Sequence, residues 1–180
     1  SQLVQNAEID IYYSDITSDT TLIVEDFPYI EEKEEVVKDV VVEEIKLPEV
    51  TADITTFSET NDELCEEDGK PVVRMYSTSW CPHCNWVKET FDNIAQEYTD
   101  LGKIITYHWQ LDTGNDELTS TTELSVPRSE IELFQKYNPD GYVPVFIFGC
   151  KYYRVGNGYE AENNLAAEEA EFRAVIHSLI

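Results

Sequence analysis

Cysteine is the residue type with the most reactive chemistry in this chain of 180 residues, which contains four cysteines. Two of them, Cys81 and Cys84, are separated only by Pro82 and His83. They follow a mostly apolar run at 72–76 and precede apolar residues at helical spacing. Two thiols at this spacing on a helix start can close a small disulfide ring, and the first lies near the unpaired N–H groups of the helix. The spacing therefore predicts a redox-active dithiol at a strand-to-helix turn.

The elements that must position this turn are predicted from the alternation of apolar and polar residues. Strands are predicted at 71–77, 103–111, 143–148 and 152–155, and helices at about 82–99, 130–137 and 162–179. Ser129 is expected to be the N-cap of the second helix. Gly149 to Lys151 reads as the tight turn of a hairpin. This order of strands and helices predicts an α/β domain.

The region before this domain is strongly acidic and has a different pattern. Residues 1–30 contain two short extended segments, and 31–47 fits either a helix or a valine-rich strand. The polar segment 51–70 has the composition of a linker. We therefore predict an acidic N-terminal extension at 1–68, partly ordered, followed by the catalytic domain at 69–180.

Charge and hydropathy limit the classes of partner. The formal net charge of −25 repels phosphate backbones and anionic lipid headgroups, so nucleic acid is excluded as an expected partner. A solvated acidic surface explains this charge more simply than a dedicated docking tail does. No apolar run approaches the roughly 20 residues that span a bilayer, so no membrane span is predicted. A start without Met is compatible with a removed signal peptide or membrane anchor.

Three features in register resemble the thioredoxin-like superfamily over residues 69–180. They are the sequence Trp-Cys-Pro-His-Cys at 80–84, the segment 134–137 leading to Val143 and Pro144, and the hairpin with Gly149 at its turn. The resemblance implies the thioredoxin fold, in which helices flank a mixed central sheet. The Pro-His pair between the cysteines is more similar to periplasmic disulfide oxidases than to cytosolic thioredoxins, which have Gly-Pro there.

The resemblance implies a role for each residue of the turn. Cys81 would be the nucleophile and the more exposed thiol, and Cys84 the resolving residue. Pro82 suits the first helical position, where a missing N–H costs nothing. His83 would stabilise the Cys81 thiolate when it is protonated or donates a hydrogen bond, which makes the disulfide a stronger oxidant. Trp80 is expected to line the site.

The same resemblance places a proline opposite the dithiol. The peptide bond before Pro144 is expected to be cis, and the backbone of Val143 is expected to pair with an extended substrate segment. One departure concerns Met75, which occupies the position where many family members have a buried carboxylate that assists proton transfer to the resolving thiol. Another group must then take that role. The segment 112–127 lengthens the spacing to Pro144 and is expected to influence substrate choice.

The remaining cysteines, Cys65 and Cys150, are implied to form a structural disulfide. In a sheet of the thioredoxin kind, the end of strand 143–148 lies beside the start of strand 71–77, so both cysteines fall at the end of the sheet far from the dithiol. Free structural thiols are the alternative. A disulfide at this place would indicate an oxidising, extracytoplasmic location and would tie the extension to the domain.

The sequence therefore predicts a thiol-disulfide oxidoreductase, acting as an oxidase or isomerase rather than a reductase. Its expected partners are protein thiols or disulfides and a redox partner protein, and no cofactor is expected. A zinc or copper site lacks a second cysteine pair at ligand spacing, and Asn85 in place of His excludes covalent haem attachment. His108 and His177 are expected to be core or surface residues rather than ligands. The alternative function is a non-catalytic binding module whose acidic extension holds a partner protein.

Overall fold

The computed structural model of the protein describes residues 47–50 and 52–180. The segments predicted at 1–30 and 31–46 lie outside the described residues. The described part contains ten elements. The strands are β1 (Ser58–Glu59), β2 (Glu66–Glu67), β3 (Lys70–Ser77), β4 (Ile105–Gln110), β5 (Asn115–Asp116), β6 (Val145–Phe148) and β7 (Tyr152–Val155), and the helices are α1 (Pro82–Asp100), α2 (Arg128–Tyr137) and α3 (Leu165–His177).

One mixed sheet organises these elements. Its strand order is β1-β7-β6-β3-β4-β5, with β2 paired to the start of β3. β3 is parallel to β4 and antiparallel to β6, and β6 and β7 form the predicted hairpin. The predicted α/β class, a mixed sheet flanked by helices, is confirmed, and the architecture is compatible with the fold that the sequence suggests.

The two faces of the sheet are covered by different helices because side chains alternate along β3. Val73 and Met75 pack with apolar residues of α1 and α3 in one core cluster. Tyr76 faces the other side, where it packs with residues of α2, and its ring lies 5.4 Å from that of Phe134. Arg74, also on that face, donates to the buried carboxylate of Glu130 on α2. The sheet is thus covered on both faces, with α1 and α3 on the side of the dithiol.

The start of α2 differs from the prediction. The helix begins at Arg128 and its N-cap is Pro127, with no side-chain capping hydrogen bond. Ser129 is therefore inside the first turn and is not the N-cap. The carbonyl of Pro127 accepts from Glu130 and Ile131 instead, and proline has no N–H to lose at this position. The pattern of polar residues placed the helix correctly but shifted its boundary.

The last part of the predicted extension packs on the sheet. β1 pairs with β7, and the ring of Phe57 lies 5.2 Å from Phe148 and 6.1 Å from Phe172. Thr55 and Thr56 donate backbone N–H groups to the buried carboxylate of Glu171 on α3. The composition of 51–70 suggested a linker, whereas the described part of this segment is bound by aromatic packing and hydrogen bonds. Its threonines and acids bond to residues far along the chain, among them Glu171, Cys150 and Tyr137, which composition alone does not reveal.

Candidate active site

The dithiol lies where β3 ends and α1 begins. Cys81 is the N-cap of α1, with an extended backbone, and its sulfur accepts a hydrogen bond from the N–H of Cys84 at 3.4 Å. Pro82 is at the start of the helix, as expected, since its missing N–H would have no partner there. The Cys81 sulfur therefore takes the place that a Ser or Asp oxygen usually has at an N-cap. Negative charge on this sulfur is favoured by the aligned peptide dipoles of the helix.

Both thiols are buried, which differs from the expectation that Cys81 is exposed. Cys81 is 3% exposed and Cys84 2% exposed, and neither is in a disulfide. The Cys81 thiol points at the loop before β6 and lies 3.7 Å from the carbonyl oxygen of Val143, to which it donates a weak hydrogen bond. Both cysteines also belong to the core cluster below α1. A substrate must therefore displace this contact to reach the sulfur of Cys81.

The Cys84 thiol is a weaker acid than an ordinary thiol. Burial, followed by the hydrogen bond with Cys81, raises the pKa of Cys84 to about 12, although the backbone N–H of Thr78 opposes the shift. Cys84 is therefore protonated at neutral pH. Because thiolate is the reactive form, Cys84 in this state is poorly suited to begin an attack.

The Val143-Pro144 peptide bond is cis, as the sequence suggested, and the loop that carries it faces the dithiol. Pro144 and Val143 border a groove of about 360 Å³ that continues along the surface. The groove is lined by His83, Tyr142, Val143, Pro144, Val155, Gly156, Asn157 and Glu160. Tyr142 is 65% exposed, and Trp80, which follows β3, is 71% exposed. Tyr142 lines the groove and Trp80 directly precedes Cys81, so these two exposed rings flank the dithiol region.

His83 is held by a residue that the sequence did not point to. Its Nδ1 lies 2.8 Å from Oε1 of Glu160, and the Asn157 side chain donates both to Glu160 and to the carbonyl of His83. Burial raises the pKa of Glu160, but the hydrogen bonds from Asn157 and His83 outweigh it and hold that pKa below its usual value. Glu160 thus fixes the tautomer and direction of the ring. No spacing signal connects positions 83 and 160, so only the fold reveals this pair.

A buried ion cluster anchors the loop that carries Glu160. Glu168 on α3 accepts hydrogen bonds from the backbone N–H groups of Gly158 and Tyr159. The same carboxylate pairs with Arg154 of β7, and both side chains are almost fully buried. Since a buried carboxylate without partners would be costly, these contacts restrict the position of the loop. Glu160 is therefore presented to His83 by a rigid support.

The segment 112–127, expected to influence substrate choice, braces the dithiol turn. Asp112 accepts hydrogen bonds from the side chain and the backbone N–H of Ser79, and these bonds, in that order, lower the pKa of Asp112. Further along, Glu117 pairs with Lys88 of α1. The segment contains β5, which pairs with β4. The segment thus supports both the turn, through Ser79, and α1, through Lys88.

Cys65 and Cys150 form a disulfide, as the sequence suggested, with Cα atoms 5.3 Å apart. Cys65 donates its N–H to the carbonyl of Gly149, and the N–H of Val72 at the start of β3 donates to Cys65. Gly149 has a φ of +58°, and a Cβ there would lie 2.7 Å from the side chain of Leu64. The disulfide therefore lies beside a tight turn, where β3 begins and β6 ends. This is the end of the sheet opposite the dithiol.

Among residues 47–50 and 52–180, no three His, Cys, Asp or Glu side chains are arranged to hold a metal ion. No helix among these residues is both long and apolar enough to cross a bilayer.

No protein-family model matches the chain, and no curated protein matches its sequence. Any function must therefore be argued from the geometry of the site.

Proposed function

We propose that the protein is a thiol-disulfide oxidoreductase with a thioredoxin fold that exchanges disulfides with protein substrates through Cys81 and Cys84. One observation carries the proposal, namely that a sulfur at the N-cap of α1 lies against the Val143 carbonyl beside cis-Pro144. This arrangement combines a stabilised thiolate with backbone groups that can pair with an extended peptide.

In the oxidising direction, a substrate thiolate attacks the Cys81–Cys84 disulfide at the Cys81 sulfur. The S–S bond between the two cysteines breaks, and Cys84 leaves as a thiolate that takes up a proton. A second substrate thiolate then attacks the mixed disulfide and expels the Cys81 thiolate. The substrate loses two electrons and gains a disulfide, and the protein becomes the dithiol. Reduction of a substrate is the reverse sequence.

Two features favour an oxidase or isomerase over a reductase. Cys81 is the N-cap of α1, and groups that stabilise the reduced thiolate, such as a helix N-terminus, make the disulfide more oxidising. The Cys65–Cys150 disulfide supports an extracytoplasmic location, where such bonds persist. Its partners would be protein thiols and a protein that reoxidises the dithiol.

Turnover assays test this proposal against the alternative of a non-catalytic binding module. The wild-type chain should catalyse disulfide exchange with insulin or glutathione, and Cys81→Ser should abolish it. Cys65→Ser/Cys150→Ser is the control, since it removes two sulfurs and leaves the Cys81–Cys84 turn intact. Absence of turnover in the wild-type chain would favour the binding module.

A further inference from the structure

The groove beside the dithiol has an apolar lining that is open to solvent. Tyr142 is 65% exposed and Val155 is 39% exposed, and both line the groove together with Val143 and Pro144. Val143 connects the groove to the reacting atoms, because its carbonyl oxygen lies 3.7 Å from the Cys81 sulfur. A substrate cysteine that reaches this sulfur therefore brings its neighbouring residues into the groove.

Glu160 supplies the only carboxylate among the described residues that line this groove. Its side chain is 31% exposed, so a ligand in the groove can reach it. The carboxylate is hydrogen-bonded to the ring of His83 and to the side chain of Asn157. A carboxylate has about four acceptor sites, so these two partners leave sites for a donor from a bound substrate.

The charge of the groove selects the kind of occupant. Burial raises the pKa of Glu160, but the hydrogen bonds from Asn157 and His83 hold it below its usual value, so the side chain is ionised at neutral pH. No Lys or Arg is among the described residues of the lining. A carboxylate on a protein with a formal net charge of −25 attracts cations and repels anions. This charge favours a basic segment and disfavours a second copy of the same acidic chain.

The loop that carries Glu160 is held in position by contacts within the protein. The buried carboxylate of Glu168 accepts hydrogen bonds from the backbone N–H groups of the two residues before Glu160. Asn157 donates to the carbonyl of His83, which ties the loop to the first turn of α1. A carboxylate that is already in position binds a partner without a further cost of ordering. Glu160 is therefore better suited to select a substrate than a carboxylate on an unsupported loop.

We propose that Glu160 is a specificity-determining residue, and that it selects protein substrates with a Lys or Arg close to the reactive cysteine. The methylene stem of such a residue packs against the apolar surface of Tyr142 and Val155, and its charged head pairs with Glu160. An acidic residue at the same place is repelled. This inference rests on the proposed function, because flanking residues are selected only if the substrate thiol reacts at Cys81.

The test uses the full-length chain with the Cys81–Cys84 disulfide formed and short dithiol peptides that differ in one residue. That residue is Lys, Gln or Glu, placed in turn at each position within about three residues of the first cysteine, the reach of an extended chain across such a groove. The peptide loses two electrons and two protons as its disulfide forms, and the protein takes them up as its dithiol forms. Acid quenching, alkylation and intact mass give the second-order rate constant of this exchange.

The wild-type chain should react with the best Lys peptide about five- to tenfold faster than with the matching Glu peptide at low salt, as expected for one partly exposed charge pair. The preference should be confined to one part of the peptide, which shows a local site without any variant. Glu160→Gln should lower the Lys-to-Glu ratio of rate constants at least about threefold, and Glu160→Lys should lower it further. Comparing this ratio between variants cancels the intrinsic reactivity of each peptide thiol.

Two further variants separate the carboxylate from its surroundings. Glu162→Gln is the matched control, since it removes the same charge from an exposed side chain that does not line the groove. It should leave the ratio unchanged. His83→Gln removes the imidazole partner and keeps the carboxylate, so it should keep the preference for Lys. Raising the NaCl concentration should reduce the ratio in the wild-type chain, because salt screens partly exposed charges.

The selection is overturned if the wild-type chain reacts equally fast with Lys and Glu peptides, or faster with Glu peptides. It is also overturned if the preference is the same at every peptide position, or if Glu160→Gln and Glu162→Gln lower the ratio equally, because net charge alone would then explain it. A wild-type chain that oxidises none of the peptides refutes the proposed disulfide exchange and the selection with it. The two failures are distinct, because one gives equal rates and the other gives no reaction.

Discussion

Cys65 and Cys150 are joined across 85 positions at one end of β3 and β6, whereas Cys81 and Cys84 are three positions apart at the other end. Burial is not the main difference between the pairs, since Cys150 is 1% exposed, as hidden as the two thiols, and Cys65 is partly buried. The two pairs differ instead in the acceptors to which the surrounding N–H groups donate. At the dithiol, the N–H groups of Cys84 and Thr78 act on sulfur. At the disulfide, the neighbouring N–H groups donate to carbonyl oxygens instead.

This comparison shows how one chain keeps two cysteine pairs in different chemical states. A helix N-terminus with free N–H groups stabilises a thiolate, which makes that pair reactive. A tight turn whose N–H groups are already bonded gives no such stabilisation, so that pair is suited to a structural role. Each cysteine pair therefore has its own role, and mutation of either pair tests this division.

The strongest test of the division is the loss of exchange in Cys84→Ser. Cys81 should still attack, but the mixed disulfide should persist because the resolving thiol is gone. Turnover should fall by a factor on the order of 10³ or more, as for other enzymes that lose a catalytic group. Non-reducing gels and intact mass would detect the trapped adduct. Equal turnover in Cys84→Ser and the wild type would contradict the assignment of roles.

The stability of the fold should depend on the other cysteine pair, Cys65 and Cys150. Cys65→Ala/Cys150→Ala should lower the free energy of unfolding by roughly 2–5 kcal/mol, because the disulfide restricts the unfolded chain over a long loop. Cys81→Ala/Cys84→Ala should cost only about 1 kcal/mol per thiol, as expected for small deletions in a core. Denaturant unfolding under non-reducing conditions measures both. The division fails if the dithiol variant is the less stable one.

The redox potential tests the contribution of His83. In the wild-type chain, the potential of the dithiol should lie nearer to about −120 mV than to about −270 mV, the range between strong oxidases and reductases. His83→Ala should move it to a more negative value by about 30 mV, which is a tenfold change in the equilibrium constant. Equilibration with glutathione buffers measures the shift. A substitution of Lys88, a residue of α1 that pairs with Glu117, provides a control.

The smallest effect concerns the acid dependence of the His83–Glu160 pair. The pKa of Glu160 is lowered in the folded protein, so this carboxylate stabilises the fold above its unfolded pKa, 4.5, and the contribution is lost as pH falls through the folded value. Glu160→Gln should therefore lower the unfolding temperature slightly near neutral pH, and this effect should shrink as the pH falls to about 3. Thermal scans at the two pH values measure this. Glu162→Gln is the matched control, and a pH-independent effect would exclude the ion pair as the cause.

Much of the architecture could be predicted from local patterns. The positions of β3, α1 and the β6–β7 hairpin follow from apolar periodicity and turn residues, since these act within a few positions of one another. The start of α2 could not be predicted in this way, because its N-cap is Pro127 and no side chain makes a capping hydrogen bond. The packing of Phe57 was also hidden, since an isolated aromatic residue in a polar segment carries no periodicity.

The sequence by itself determined the chemistry at the turn: two thiols three positions apart, a proline between them and a helix that begins at the first thiol. These are local properties, and local spacing encodes them. The tertiary structure alone decided that Cys81 is buried against Val143, that Glu160 holds His83, and that Ser77, His108 and Asp92 are joined by hydrogen bonds. The physical reason is that these partners lie 16 to 77 positions apart. Packing of helices on a twisted sheet brings them together, and no pattern along the chain records the contact.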